Sequence, residues 1–420
     1  MLRRPLFGLV SIIVFLQSAA SAQPSPLAQQ IVASRYLIQV QDGRLSGAGA
    51  PVVEAAIAKA HYVLIGQDHG IAEIPSFVSA VCDLTAAQGY HSMAVESGPF
   101  VTEKLREWIA RKDRIEQISA FEKQFPLSLA FFNMREENDM LAHCAQGTKT
   151  GEFHLWGLDQ EFVGSPGFLL NQIIASHPGP KVEAEAKRLL AENDEAYKKA
   201  AQSHNPVELF MFAAKYDDLQ LMQSLLQQQG TPAARSLFNA FLESRDIYLK
   251  AFSDSVANNR IRAMLLKRNF LQQYNLAKRT EGQPPKVLFR FGALHLMKGF
   301  NPLLNNDIGN FVMELADGEG TQSLHIMIVA MQGSQLHFAG VGVPYAAHAF
   351  NNVTDKDSQI VFLKPFFDNL APGGWTLFDL RALRQHIGSL GNLDSQVERT
   401  ILGYDLLVVI PTAHPSSQIQ

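Results

Sequence analysis

Four apolar runs in this sequence each lead to a residue that can take or give a proton. Tyr62-Val63-Leu64-Ile65-Gly66 passes through Gln67 and Asp68 to His69-Gly70, and Met93-Ala94-Val95 runs into Glu96. Phe153-His154-Leu155-Trp156-Gly157-Leu158 runs into Asp159, and Val287-Leu288-Phe289-Arg290-Phe291-Gly292 leads toward His295. Short, nearly continuous apolar runs read as strands buried on both faces, the pattern of a parallel sheet covered by helices. In open α/β sheets, ligands bind beyond the carboxyl ends of the strands. Two histidines and two carboxylates are therefore expected to face one crevice.

The rest of the chain fits an α/β fold with a central, mostly parallel sheet flanked by helices. Residues 23 to about 50 read as an N-terminal arm, followed by a short helix, Val52 to Lys59. Ile74 to Gln88 has helical spacing between the first two strands, so the unit is a βαβ crossover. Leu105 to Ile118 and Leu127 to Ala145 read as helices before the third strand. From residue 165 to 282 there is no strand pattern. Lys181 to Ala200, Val207 to Gln229, Ala233 to Phe252 and Ala257 to Arg279 instead carry apolar residues three and four apart. This predicts an all-helical lobe at 165–282, inserted into an α/β core formed by 23–164 and 283–420. Phe311 to Leu315, Leu324 to Met331, Trp375 to Leu380 and Tyr404 to Pro411 read as further strands.

The first 22 residues have the form of a secretory signal: Arg3 and Arg4, an apolar stretch from Leu6 to Leu16, then Ala20-Ser21-Ala22. The apolar stretch is too short to span a bilayer, so a periplasmic or secreted protein without stable membrane insertion is expected. The chain carries 36 basic against 40 acidic residues. With no basic cluster interleaved with aromatics, this argues against a nucleic-acid partner and for a small-molecule substrate. Oligomeric state is not legible. Cys82 and Cys144 are the only cysteines. An oxidising compartment permits them to pair; two buried free thiols are the alternative.

His69 and Glu73 lie four apart where a strand hands over to a helix, a spacing that would project both from one face. A carboxylate-fixed histidine is a competent base for activating water; the plainer reading makes Asp68 a helix cap and His69 a solvated neighbour. Glu96 beside another carboxylate would have its pKa pushed upward, giving a general acid or a shared proton. Asp159 reads as an orienting residue. His295 follows small residues that allow close backbone approach to a ligand, or it is a core histidine. Arg135 is either an anion clamp or a helix-surface partner of Asp139. Two histidines and two carboxylates can also hold a metal, although no H-E-x-x-H occurs. The G-x-S-x-G nucleophile elbow and the phosphate-binding loops are absent as well.

In order, Gly66-x-x-His69-Gly70-x-x-Glu73, Ala94-Val95-Glu96, Trp156-Gly157-Leu158-Asp159, a long helical insert and Gly292-Ala293-Leu294-His295-x-x-Lys298-Gly299 resemble the erythromycin esterase-like superfamily. Haem-uptake proteins and Tiki-type metalloproteases are its distant relatives. The resemblance runs over roughly residues 60 to 410. It implies hydrolysis of an ester or lactone in a cleft between sheet and helical lobe. His69 then matches the base that activates water, and Glu96 and His295 match the family glutamate and late histidine. Arg135 and Glu137 resemble an Arg/Glu-bearing helix. Gln67 stands where the family has glutamate, so any charge needed there is lost or moved to Asp68. The histidine spacing is nearer the haem-uptake branch, whereas the insert favours the esterase branch. The main expectation is a hydrolase with no required cofactor. The alternatives are a haem- or ligand-binding protein using His69 and His295, or a hydrolase dependent on a divalent metal. N-terminal sequencing of the exported protein is expected to start at Gln23 or within a few residues of it; a retained Arg3-Arg4 segment would overturn the compartment.

Overall fold

Two neighbouring strands, β3 (Tyr62–Gln67) and β6 (Val287–Gly292), are buried at every residue and form the middle of the parallel part of the sheet. The computed structural model describes residues 25–148 and 153–419; the signal-type segment at 1–22 lies outside the described residues. The remaining strands are β1 (Arg35–Gln41), β2 (Arg44–Ser46), β4 (Ser92–Val95), β5 (His154–Gly157), β7 (Ser323–Ala330), β8 (Gln332–His337), β9 (Ala346–Asn351), β10 (Trp375–Asp379) and β11 (Leu406–Ile410). Nine of them make one sheet in the order β2-β1-β10-β11-β7-β3-β6-β4-β5. The block β11-β7-β3-β6-β4-β5 is parallel throughout. β10, β1 and β2 add an antiparallel edge. The α/β fold with its mostly parallel sheet is therefore the observed one.

Register brings the strand ends together. Gln67 lies opposite Gly292, and Val95 lies opposite both Arg290 and Gly157. β3, β4, β5 and β6 thus finish side by side, and the residues after them share one crevice. Side chains alternate between the two faces of the sheet. Val63, Ile65 and Leu288 pack with Phe77, Val78 and Val81 of the helix Glu73–Ala87. On the opposite face, Leu64, Phe289 and Phe291 pack with Leu266, Phe270 and Tyr274 of the helix Ser255–Glu281. That long helix closes a run of helices between β5 and β6, in which Ser165–Ala175, Pro180–Ser203, Tyr216–Gln229 and Pro232–Lys250 precede it. Apolar burial of residues such as Phe270, worth up to about 3 kcal/mol each, holds the helix against the sheet beside the strand ends.

Several local expectations fail. The stretch after residue 23 is not a bare arm but a helix, Pro26–Ala33, and the edge strands β1 and β2. Phe311 to Leu315 belongs to a helix, Ile308–Gly318, whose N-terminus Asp307 caps. Leu105 to Ile118 is split into Pro99–Trp108 and Arg114–Gln124. Helix begins only at Arg135 in the segment read as Leu127 to Ala145, so residues 127 to 134 form an irregular loop that reaches the crevice. The hairpin β8–β9 was not foreseen. Among the described residues, no helix is long and apolar enough to cross a membrane.

Cys82 on the helix Glu73–Ala87 and Cys144 on the helix Arg135–Gln146 form a disulfide that closes a loop spanning 62 positions. The open choice between a bridge and two thiols resolves to a bridge. In the chain-entropy treatment, a loop of this length contributes about 4 kcal/mol by restricting the unfolded chain. The double variant Cys82→Ser/Cys144→Ser should lose stability of that order in urea unfolding, with unchanged far-ultraviolet circular dichroism. A loss below about 1 kcal/mol would mean that the bridge is strained or dispensable.

Candidate functional site

Glu96 leaves β4 directly into the crevice and is only 5% exposed. Two donors hydrogen-bond to its oxygens and two imidazoles stand close by. Arg262 Nη2 donates to Oε1 at 2.8 Å, and the Gly292 N–H donates to Oε2 at 2.5 Å. His69 Nε2 lies 3.6 Å from Oε2, and His295 Nε2 lies 3.7 Å from Oε1. A side chain at position 292 could not share this space: its Cβ would sit 3.0 Å from His69 Nε2 and 3.3 Å from Glu96 Oε2. Glycine there lets backbone and carboxylate meet.

This company reverses the expected titration of Glu96. Burial works to raise its pKa, but His69, His295, Arg262 and the Gly292 amide outweigh it and hold the carboxyl at about 2. The expected upward shift required a neighbouring carboxylate. The neighbours are cationic groups and hydrogen-bond donors instead, so Glu96 is an ionised carboxylate and not a general acid.

The two imidazoles are tuned in opposite directions. His69 is lowered to about 4, chiefly by desolvation and further by Arg290, His295 and Arg262, with Glu96 opposing. It is neutral at neutral pH. His295 also feels desolvation and Arg262 pulling its pKa down, but its contacts with Asp307 and Glu96 win and raise it above the usual histidine value. Its Nδ1 lies 2.9 Å from Asp307 Oδ2, while Asp307 Oδ1 accepts the Ile308 N–H. One carboxylate therefore caps a helix and orients a histidine at once.

Asp159 lies beside Glu96, and its carboxylate accepts Arg262 Nε at 3.0 Å and Nη2 at 2.5 Å. Gln67 is buried, with its amide donating to Glu137 Oε1 at 3.3 Å. Glu137 in turn pairs with Arg290, which is fully buried. Asp68 lines the cleft, and burial raises its pKa to about 6.

Two expected residues are elsewhere. Glu73 points away from His69 and accepts from His414, with its Oε1 2.5 Å from Nδ1. Glycine at position 70, in a left-handed conformation (φ 74°), turns the chain before the helix, so the four-residue spacing does not put His69 and Glu73 on one helical face. Arg135 is 52% exposed and pairs with Asp139 at 3.0 Å, the helix-surface role weighed for it, and it is no anion clamp. Three contributors escaped the sequence reading. Arg262 lies within a charged helical stretch, Asp307 precedes a run read as a strand, and Phe131 fell in a segment read as helix. A carboxylate three positions or fewer before an apolar helical run could have flagged Asp307 as a cap.

A cleft of about 1300 Å³ opens above these groups. Gln67, Asp68, His69 and His295 line its floor, Asn259 and Arg262 one wall, and Phe350 and His348 of the β8–β9 hairpin another. The donor set does not fit a metal: Glu96's oxygens are committed to Arg262 and Gly292, and among the described residues no three His, Cys, Asp or Glu side chains are grouped to hold an ion. The arrangement joins a neutral imidazole, an ionised carboxylate and a second, proton-retaining imidazole on one side of a large cleft.

No protein-family model and no curated protein matches the chain. Solved structures do match. A mutant of the erythromycin esterase EreC, in its open conformation, aligns with a TM-score of 0.62 at 13% identity, covering 92% of this chain and 99% of its own. A Bacillus cereus protein aligns at 0.57 and 15% identity, covering 94% and 98%. A succinoglycan biosynthesis protein aligns at 0.56 and 16%, also covering 94% and 98%. These likenesses extend over nearly the whole of each chain, helical segment included. The chain has the erythromycin esterase-like fold.

Proposed function

We propose that this chain is a hydrolase that cleaves an ester or lactone with a water activated by His69. The observation that carries the reading is one ionised carboxylate flanked by two imidazoles with opposite pKa shifts. Opposed shifts in a shared cleft divide the roles of base and acid. His69, neutral, takes a proton from water as the water oxygen forms a bond to the carbonyl carbon. Glu96 stabilises the imidazolium that results. His295, carrying a proton on Nε2 and held at Nδ1 by Asp307, donates to the oxyanion that develops, and Arg262 adds positive charge nearby. Collapse breaks the carbon–oxygen bond to the leaving group, which takes the proton back from His69. No covalent serine intermediate is needed. The likeness to a structure described as an erythromycin esterase supports a hydrolase-type fold and leaves the substrate open. Export is part of the proposal, supported by the signal-type N-terminus and by a disulfide suited to an oxidising compartment.

Activity should follow a bell-shaped dependence on pH. His69 must be unprotonated, so kcat/KM should fall as pH drops through about 4. His295 must be protonated, so kcat/KM should also fall as pH rises past a limb above the usual histidine value of 6.5. With p-nitrophenyl acetate and dihydrocoumarin as probes, His69→Ala should lower kcat by roughly 10²–10⁴. Glu96→Gln should cause a comparable loss, because it keeps the shape and removes the charge. His295→Ala should cost about 10²–10³. If the wild type turns over no ester or lactone yet gives a Soret band with haem that His69→Ala abolishes, the haem-binding reading replaces this one.

A further inference from the structure

His295 is oriented by a carboxylate on its Nδ1, but His69 has no such partner. Among the described residues, no protein group hydrogen-bonds to His69 Nδ1, which is buried. Its ring instead lies flat against Phe131, with centroids 4.0 Å apart and planes inclined by 11°. The Arg290 guanidinium also lies over this ring, 5.4 Å from the Phe131 centroid and 5.5 Å from that of Phe132. Arg290 is fully buried and tied to Glu137. Phe131 thus touches both His69 and the buried Arg290–Glu137 ion pair.

The backbone carries Phe131 there at a cost. Its φ is 63°, in the left-handed region that is exceptional for a bulky side chain. Phe132 N donates to Ala130 O at 2.7 Å, which makes Phe131 the centre of a γ-turn. With positive φ this is the rare, strained form. The next contacts hold the loop in place: Met134 N donates to Phe131 O at 2.9 Å, and Ile419 N donates to Asn133 O at 2.8 Å. A strained residue at a cleft floor indicates a functional demand on its side chain. The demand visible here is the stack on His69.

We propose that Phe131 is a positioning residue that fixes the ring plane of His69 by stacking, in place of the carboxylate found behind His295. The proposal rests on His69 being the base, as inferred above. Aromatic stacking constrains the plane of an imidazole without placing a negative charge beside it. The charged and titratable groups acting on His69 are then Glu96, Arg290, His295 and Arg262.

The test combines a readout that needs no substrate with one that does. ¹³C relaxation of the imidazole Cε1–H group is measured for His69 and His295 in the wild type, Phe131→Gly, Phe131→Leu and Phe131→Tyr. Glycine suits the positive φ and leucine keeps apolar bulk, so failure of one variant to fold leaves the other. The His69 ring should become mobile in the glycine and leucine variants and rigid again with tyrosine. The His295 ring should stay rigid in all. With p-nitrophenyl acetate, the glycine and leucine variants should lose roughly 10- to 100-fold in kcat, as expected for a misaligned base, with KM little changed and tyrosine restoring the rate. In a His69→Ala background, Phe131→Leu should cost nothing further. A His69 ring equally rigid in every variant overturns the proposal. So does an undiminished kcat in Phe131→Leu when His69→Ala is impaired. Wild-type turnover by His69→Ala would instead defeat the assignment of His69 as base.

Discussion

Burying the charge of Glu96 is the constraint on which the rest of this molecule turns. A carboxylate removed from water destabilises the fold by several kcal/mol unless donors surround it. Two donors arrive from different elements, Arg262 from the helix Ser255–Glu281 and the Gly292 amide from the end of β6, and the His69 imidazole lies 3.6 Å away beyond β3. The helical segment and the sheet are therefore joined at the same atoms that make the site. Asp159 extends the junction by gripping Arg262 with both oxygens. Because the folded pKa of Glu96 lies below its unfolded value, this group contributes stability that is present above the unfolded value. That contribution is lost only as pH falls toward about 2.

A second buried charge sets what β3 can offer the cleft. Arg290 is fully buried and answered by Glu137, whose carboxyl burial pushes upward while Arg290 and Gln67 pull it back. Gln67 donates its amide to the same carboxylate. A glutamate at position 67 would face Glu137 with like charge, and one of the two would have to keep a proton at neutral pH. Glutamine avoids that conflict by being a donor. Glutamine at position 67 is thus compatible with this particular ion pair, and burial raises Asp68 in the cleft to about 6.

Much of this was legible in the order of residues. His69, Glu96, Asp159 and His295 were found because a parallel sheet aligns the ends of its strands, and apolar runs announce those strands. The α/β class followed from the same runs. Arg262 was hidden because a charged helix offers many arginines, and only the packing of Phe270 and Leu266 on the sheet selects the one that turns inward. Glu73 was misplaced because the positive φ of Gly70 is a backbone event that helical spacing does not reveal. Phe131 was hidden for a related reason: a strained γ-turn has no propensity signature when its central residue is phenylalanine. Phe311 to Leu315 misled because a short apolar run serves a strand or a buried helix equally well, and the Asp307 cap decides between them.

The two histidines also show why one site needs two ways of holding an imidazole. A carboxylate on Nδ1 holds the His295 ring and raises its pKa, which suits the proton-keeping role proposed for it. The same device behind His69 would raise that pKa as well. Both pKa values would then be raised, and the proposed division between acid and base would be lost. Stacking on Phe131 adds no negative charge beside the ring, and Arg290 nearby lowers its pKa. His69 stays unprotonated even though Glu96, which pulls the other way, lies only 3.6 Å from its Nε2. Glu96 is near enough to steady the imidazolium once it forms, while desolvation and Arg290 keep it from forming beforehand.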